Sequence, residues 1–236
     1  MVNALGDRWS YYIPADEYAA YMEQMNNAYV GIGVTIEQRE DNTGLNVRDV
    51  TAGGAAEAAG VKVGDVIVKV DGTAIAGMDI GEVRNLIRGE ENTQVQITVL
   101  REGEEQTFSV TRKKVQTPVA TAQMLTDGIG LVTIENFDAR CAEETIAAIE
   151  ELRNQGATKL IFDVRFNPGG YKDELVKVLD YLLPEGVLFR SELFDGTKEE
   201  DRSDASCLEM PMVVLVNGDS YSAAEFFGAA LREYEA

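Results

Sequence analysis

The sequence predicts two kinds of folded material in one chain: a compact β-rich module, and after it an α/β unit built on a substantially parallel central sheet. Two textures and their order carry that expectation. From 29 to about 114, short segments that mostly alternate apolar with polar residues are broken by Gly-rich turns, the mark of half-buried strands. Beyond a connector, VQTPVATAQMLTDG, apolar strands alternate with amphipathic helices. At 236 residues the chain is long enough for each part to bury a core.

Each element follows from local pattern. Pro14-Ala15-Asp16 opens a short helix, ADEYAAYMEQM, with acidic residues where the helix dipole favours them. GIGVTIEQ, LNVRDV, DVIVKVDG, TQVQITVLRE and QTFSVTRK read as strands, interrupted by helical AAEAAG and DIGEVRNLIRG, whose stripe is Ile80, Val83, Leu86 and Ile87. IGLVTIENF is then a strand. AEETIAAIEELRNQG is a helix with Ile146, Ile149 and Leu152 inward and Gly156 at its end. KLIFDVRF is apolar almost throughout, as in a strand buried on both faces. KDELVKVLDYLLPEG is a helix closed by Pro and Gly, MVVLVNG a strand, and SAAEFFGAALREY a helix. SELFDGTKEEDRSDASCLEM is an exposed loop or hairpin. The implied bounds are 1–28, 29–114 and 115–236.

Composition excludes several functions. A formal net charge of −20 speaks against a nucleic-acid surface and against docking to anionic lipid. With no histidine there is no Ser-His-Asp triad and no Cys-His pair, and no cofactor or metal site is expected. The two cysteines, Cys141 and Cys207, lack metal-ligand spacing and read as ordinary thiols. No stretch reaches the length of a bilayer span, and the N-terminus lacks the pattern of a signal peptide.

Three stretches could carry chemistry, and each also has a plain structural explanation. Gly31-Ile32-Gly33-Val34 could present backbone N–H groups to a peptide carboxylate, beside a strand edge that accepts an extended peptide. Val83, Leu86 and Ile87 would then line the opposite wall; the alternative is a Gly-containing turn. In Arg165-Phe166-Asn167-Pro168-Gly169-Gly170, the Gly-Gly pair at a strand's carboxyl end suits a developing oxyanion, but also suits a simple strand-to-helix turn. Ser222-Ala-Ala-Glu225 is the capping-box pattern, which accounts for the serine without catalysis. By residue type alone the cap is the better reading.

Taken together and in this order, the stretches resemble the carboxyl-terminal processing (tail-specific) proteases, serine peptidases with an embedded PDZ domain. Six segments carry the resemblance: GDRWSYYIPADEY, GIGV, AAEAAGVKVGDVIVKVDG, IRGEENTQVQITVLREG, LIFDVRFNPGG and VVLVNGDSYSAAEFFGAALREY. The resemblance implies a ClpP/crotonase-like α/β peptidase core with an inserted PDZ domain. It implies peptide-bond cleavage by a Ser-Lys dyad, which removes the need for histidine. Ser222 falls on the nucleophile, with Ser220 a bystander. The N–H groups of Ala223 and of the Gly169-Gly170 turn fall on the oxyanion donors, and Glu233 on an acidic residue that assists the lysine.

The resemblance further implies polypeptide partners with a free apolar C-terminus and an extracytoplasmic or membrane-anchored setting, and it leaves homo-oligomerisation open. Two departures matter. Tyr221 stands where the family has a small residue. The family's lysine lies further along than the serine, in a Gly-Lys-Gly-like turn, yet this chain ends fourteen residues after Ser222 and has no lysine beyond Lys198. It stops inside a helical pattern, as a truncated chain would. The 236-residue polypeptide is therefore expected to be inactive by itself, and Ser222-dependent cleavage by it would refute that. The alternative from another functional class is a non-catalytic PDZ scaffold; the codons that follow in the gene discriminate the two.

Overall fold

The computed structural model describes residues 6–7, 10–15 and 17–235. Asp16 and the Arg8-Trp9 part of the first resembling segment lie outside the described residues. The chain divides into two compact units, Ala28–Thr117 and Met1–Asn27 with Pro118–Ala236.

In the Ala28–Thr117 unit, strands β2 (Val34–Gln38), β3 (Leu45–Val50), β4 (Val66–Val70), β6 (Gln94–Arg101) and β7 (Glu104–Thr111) form an antiparallel sheet in the order β2-β3-β4-β6-β7, with β5 (Thr73–Ala74) beside β4. Strands β1 (Ala28–Gly31) and β8 (Lys113–Gln116) form a separate antiparallel ribbon. Period-two alternation sends Leu45, Val47, Ile67, Val95, Ile97 and Val99 into one core, which helices α2 (Ala55–Ala59) and α3 (Ile80–Ile87) close with Ala56 and Val83. The α3 helix starts on a capping box: Asp79 accepts the Gly81 N–H at 2.7 Å, and Glu82 accepts the Asp79 N–H at 3.0 Å. Its C-terminal end is held by Arg112, a buried residue that donates to the carbonyls of Ile87 (2.8 Å), Leu86 (3.1 Å) and Gln94 (2.9 Å). Those bonds fix the helix wall against β6.

In the other unit, α1 (Tyr18–Met25) begins two residues later than Asp16, with Glu17 preceding its first turn. The sheet has the order β14-β11-β10-β9, with β9 (Ala120–Met124) antiparallel and β10 (Ile129–Ile134), β11 (Lys159–Asp163) and β14 (Met212–Leu215) mutually parallel. Helices α4 (Cys141–Asn154), α5 (Lys172–Leu182) and α6 (Ala223–Glu233) bury Val132, Ile134, Leu160 and Phe162 of one sheet face. The Phe227 ring of α6 lies 5.3 Å from Phe162, edge-on, and 5.7 Å from Phe137. This contact anchors α6 on the sheet. Within α4, Ile149 and Leu152 are fully buried and Ile146 only partly. Gly156 follows the helix with φ +94°.

The apolar run of β11 is not buried on both faces. Leu160 and Phe162 are core, but Ile161 is half-buried on the other face, where its neighbour Val213 is 56% exposed. Continuous apolarity there reflects residue choice, not two-sided cover among the described residues. The polar stretch after α5 is a hairpin of β12 (Gly186–Glu192) and β13 (Lys198–Ser203). No helix among the described residues is long and apolar enough to cross a membrane.

Candidate active site

Because β10, β11 and β14 are parallel, their carboxyl ends point the same way, and the turns that follow them meet there. The turn after β11 is the Asn167-Pro168-Gly169-Gly170 segment, and the turn after β14 leads to Ser222. A parallel bridge joins Gly170 to Phe137, just past β10: Phe137 N–H donates to Gly169 O at 2.7 Å, and Tyr171 N–H to Phe137 O at 2.8 Å. The approach is backbone on backbone. A Cβ on Gly170 (φ +150°) would stand 2.3 Å from the Phe137 carbonyl carbon.

Ser222 ends the turn after β14. Its backbone takes φ +52° and ψ −116°, a conformation non-glycine residues adopt only where surroundings enforce it. The enforcement is visible. Glu225 accepts the Ser222 N–H at 2.8 Å, Phe226 N–H donates to Ser222 O at 3.0 Å, and Tyr221 N–H donates to Asn167 O at 3.0 Å. Gly169 packs directly on the turn, since a Cβ there (φ +98°) would lie 2.8 Å from Ser222 Cβ and 3.1 Å from Ala223 N. The turn thus holds Ser222 exposed, at the N-terminus of α6 and against Gly169-Gly170. The Ser222–Glu225 contact of the capping pattern is present, but a cap alone does not require this backbone.

Ser220 has a different role. It is buried, donates to Val164 O at 2.8 Å and accepts the Asn217 N–H at 3.0 Å, so it fastens the turn to the end of β11. Asn167, a residue the sequence reading gave no role, organises the site from below. Fully buried, it donates to Ile134 O at 2.8 Å and accepts the Gly169 N–H at 2.9 Å. Gly169 N–H is therefore engaged inside the turn. The N–H groups of Gly170 and Ala223 make no hydrogen bond among the described residues. The Asn before Pro-Gly-Gly was the available signal, since a short amide side chain in a turn binds nearby backbone. Glu233 is not brought to this place. It is exposed at the far end of α6, eleven residues from Ser222 or about 16 Å of helix rise. Among the described residues no Lys, Arg or His side chain hydrogen-bonds Ser222, and no group of three or more His, Cys, Asp or Glu could hold a metal.

Behind the bridge, Asp138 is buried with its Oδ1 unpartnered, and desolvation raises its carboxyl to about 6. Such a raised acid makes the folded state bind a proton that the unfolded chain, near the ordinary carboxylate value, does not. Its contribution is full below the unfolded value and is lost as pH rises through about 6. Asp138→Asn is therefore expected to raise stability at pH 7 but not at pH 4, a difference on the order of 1–2 kcal/mol. Urea unfolding of both proteins at the two pH values checks it; equal offsets at both would contradict it. Both cysteines are free, and burial pushes the Cys141 thiol up to about 12, which leaves it protonated and unreactive.

A second concavity lies within the Ala28–Thr117 unit, a groove of about 250 Å³ between β2 and α3. Gly31, Ile32, Gly33 and Val34 form one side. The Ile32 and Gly33 carbonyls accept from Ala56 and Thr51, both at 3.0 Å, while the N–H groups of these two residues make no hydrogen bond among the described residues. The opposite wall differs from the sequence expectation. Val83 points into the core at 0% exposure, Leu86 points outward at 40%, and only Ile87 lines the groove, beside Arg84 and Arg88. A four-member apolar stripe mixed core-facing and solvent-facing positions, because a short helix over a sheet presents its side, not its stripe, to the groove. Arg84 and Arg88, one turn apart, were the legible signal. Arg88 stacks over the Tyr29 ring at 4.6 Å. Burial raises the Tyr29 phenol, and the charges of Arg88 and Arg84 oppose that rise.

Residues 128–236 match peptidase family S41, and residues 47–101 match the PDZ domain. The chain is 33% identical, over 99% of its length, to a Staphylococcus aureus (strain N315) protein named "Probable CtpA-like serine protease", covering 47% of that protein. The chain spans about half the length of the curated relatives it matches. Among solved structures it is similar to a photosystem II D1 C-terminal processing protease, with 28% identity, TM-score 0.49, and coverage of 99% of this chain and 65% of the other. It is also similar to the PDZ domain of a carboxy-terminal protease from Vibrio cholerae in complex with peptide, with 26% identity, TM-score 0.35, and coverage of 38% and 98%.

Proposed function

We infer, for a chain whose residues 128–236 belong to peptidase family S41 and whose residues 47–101 are a PDZ domain, that it supplies the nucleophile and the substrate-reading groove of a carboxyl-terminal processing serine peptidase. The observation that carries this reading is the strained, exposed Ser222, held against the Gly169-Gly170 turn. In this role Ser222 Oγ attacks the scissile carbonyl, and the ester formed is released by water. Gly170 and Ala223 N–H groups face the developing oxyanion, with the N-termini of α5 and α6 adding positive potential. Gly169 acts by its missing side chain, which lets the turn close on Ser222.

In this reading the proton acceptor is a lysine, as in the family the chain resembles; among the described residues no lysine hydrogen-bonds Ser222, and the sequence given holds none after Lys198. The 236-residue polypeptide alone is accordingly inactive, and Glu233 contributes nothing to the dyad unless chain beyond it returns there. The setting that goes with this reading is extracytoplasmic or membrane-anchored.

The groove of the PDZ domain binds the substrate's free, apolar C-terminus. The unengaged N–H groups of Ile32 and Gly33 receive the carboxylate, and the β2 edge receives the peptide strand. Titrating the 236-residue chain with a peptide ending in free valine, and with the same peptide amidated, tests this. The amide is expected to bind at least about tenfold more weakly, given the cost of losing a charge-assisted contact. Equal affinities would refute the groove assignment. A non-catalytic scaffold would bind the same peptides, but gives no reason for the strain at Ser222.

A further inference from the structure

We propose that the hairpin of β12 and β13 is a substrate-contacting wall of the cleft at Ser222. Leu193 and Phe194 at its tip take an apolar side chain of an extended polypeptide, several residues away from the scissile bond. This rests on the nucleophile role proposed for Ser222, whose substrate class it makes more specific.

The hairpin is fastened to both helices that begin at the site. Phe189 of β12 and Asp201 of β13 stand directly opposite each other, so their side chains share one face. On that face Phe189 packs on Phe226 of α6, with ring centroids 4.6 Å apart. Asp201 accepts from Lys172 Nζ at 2.8 Å, and Lys172 is the first residue of α5, two past Gly170. Phe226 follows Ser222 by one helical turn, and a helical side chain leans toward the N-terminus of its helix. The Phe189–Phe226 pair is therefore level with Ser222.

The same contacts fix where the tip goes. Val187, two residues before Phe189, accepts from the Tyr234 hydroxyl at 3.0 Å, at the other end of α6. From Val187 to Phe189 the strand thus runs from the C-terminal end of α6 toward its N-terminal end. Leu193 lies four residues further on, about 14 Å of strand, and so reaches past the start of α6, where Ser222 stands. Residues 189, 191 and 193 alternate onto the helix-facing side, while the ion pairs Arg190–Glu200 and Glu192–Lys198 occupy the other. Leu193 turns the same way as Phe189.

Leu193 is nevertheless 45% exposed, and Phe194 is fully exposed. The turn that carries them is well tied. Leu193 N–H donates to Thr197 O at 2.8 Å, Gly196 N–H to Leu193 O at 2.9 Å, and Thr197 N–H to Asp195 Oδ1 at 2.9 Å. Asp and Gly suit such a turn, but nothing in it calls for Leu-Phe. Two large apolar side chains are thus held out in water beside the site. The contact is confined to the tip, since the next inward pair, Ser191 opposite Glu199, is polar. The bonds from Thr197 hold the Asp195 carboxyl below its ordinary range, so a charge stands beside Phe194 and opposes burial in a bilayer. An extended polypeptide lying across Ser222 meets both demands, since its alternating side chains can cover the tip while Asp195 stays wet.

The test gives the whole gene product a polar peptide of Ser, Asn and Gly with a single Ala-Ala bond, in which one Leu is moved along the chain. Mass spectrometry reads the bond cleaved and the rate. Leu at a position about three to five residues from the cleaved bond is expected to raise kcat/KM about five- to tenfold over Ser there. Leu193→Ser combined with Phe194→Ser should cut that gain to less than about twofold, mainly through KM. Phe194→Leu, which keeps the tip apolar, should retain it. A gain that survives the double variant, or no gain at any such position, would overturn the proposal and leave Ser222 as the nucleophile. Self-association of the wild type that the double variant abolishes, with the Leu preference intact, would also overturn it and give the tip to a second copy. Cleavage that persists in Ser222→Ala would overturn the nucleophile assignment and the proposal together.

Discussion

Replacing Ser222 by alanine in the product of the whole gene is expected to lower peptide cleavage by about 10³- to 10⁶-fold while leaving the unfolding midpoint almost unchanged. The two readouts separate because of where the residue sits. Ser222 is exposed, so its hydroxyl adds little to folding, and its strained backbone is enforced by Tyr221, Glu225 and Phe226 rather than by its own side chain. Ser220→Ala should behave in the opposite way. Removing its bonds to Val164 O and from Asn217 N–H costs about 1–2 kcal/mol, because buried partners are left unsatisfied. Its effect on cleavage should be much smaller. Rates of cleavage and urea midpoints for both variants decide the matter. If Ser220→Ala abolished cleavage and Ser222→Ala did not, the assignment of the nucleophile would be wrong.

Gly170→Ala is expected to cost about 3–5 kcal/mol, enough to unfold much of a domain of ordinary stability, and to abolish cleavage with it. A Cβ there would stand 2.3 Å from the Phe137 carbonyl carbon and 2.6 Å from Asp138 N, both backbone atoms that no rotamer change can move. Gly196→Ala is the control. Gly196 also has positive φ, +82°, but nothing lies within 4 Å of its would-be Cβ. Only backbone strain of about 1–2 kcal/mol should appear there. Chemical denaturation of the two variants measures the difference, and equal losses would mean that the Phe137–Gly170 approach is not close.

Much of the fold was legible because periodicity reports burial. The alternation in TQVQITVLRE and QTFSVTRK became β6 and β7, and the strand-helix rhythm after 128 became a sheet with three parallel strands. Periodicity failed where local pattern does not encode what covers a face. KLIFDVRF is apolar on both faces but is deeply buried on one only. The stripe of α3 likewise did not reveal which residues face the sheet and which the groove, a matter of how the helix lies across β2.

The site was legible in part for a related reason. Ser222 and Gly169-Gly170 are punctuation, and such residues mark turns wherever they occur. That the two turns touch follows from strand order, which sequence spacing does not give. The buried wiring by Asn167 was invisible for the same reason, since its partner Ile134 lies on another strand, and the burial of Asp138 with its Oδ1 unpartnered depends on packing that local pattern does not encode.

The most direct test of Ser222 as nucleophile is to capture its ester. The whole gene product, mixed briefly with a peptide p-nitrophenyl ester and quenched in acid, is digested with trypsin. The fragment 203–232 is then sequenced by mass spectrometry; it holds both Ser220 and Ser222. The expected result is the acyl mass on Ser222 alone, absent from Ser222→Ala. An acyl group on Ser220 or outside this fragment, with hydrolysis surviving in Ser222→Ala, would contradict it.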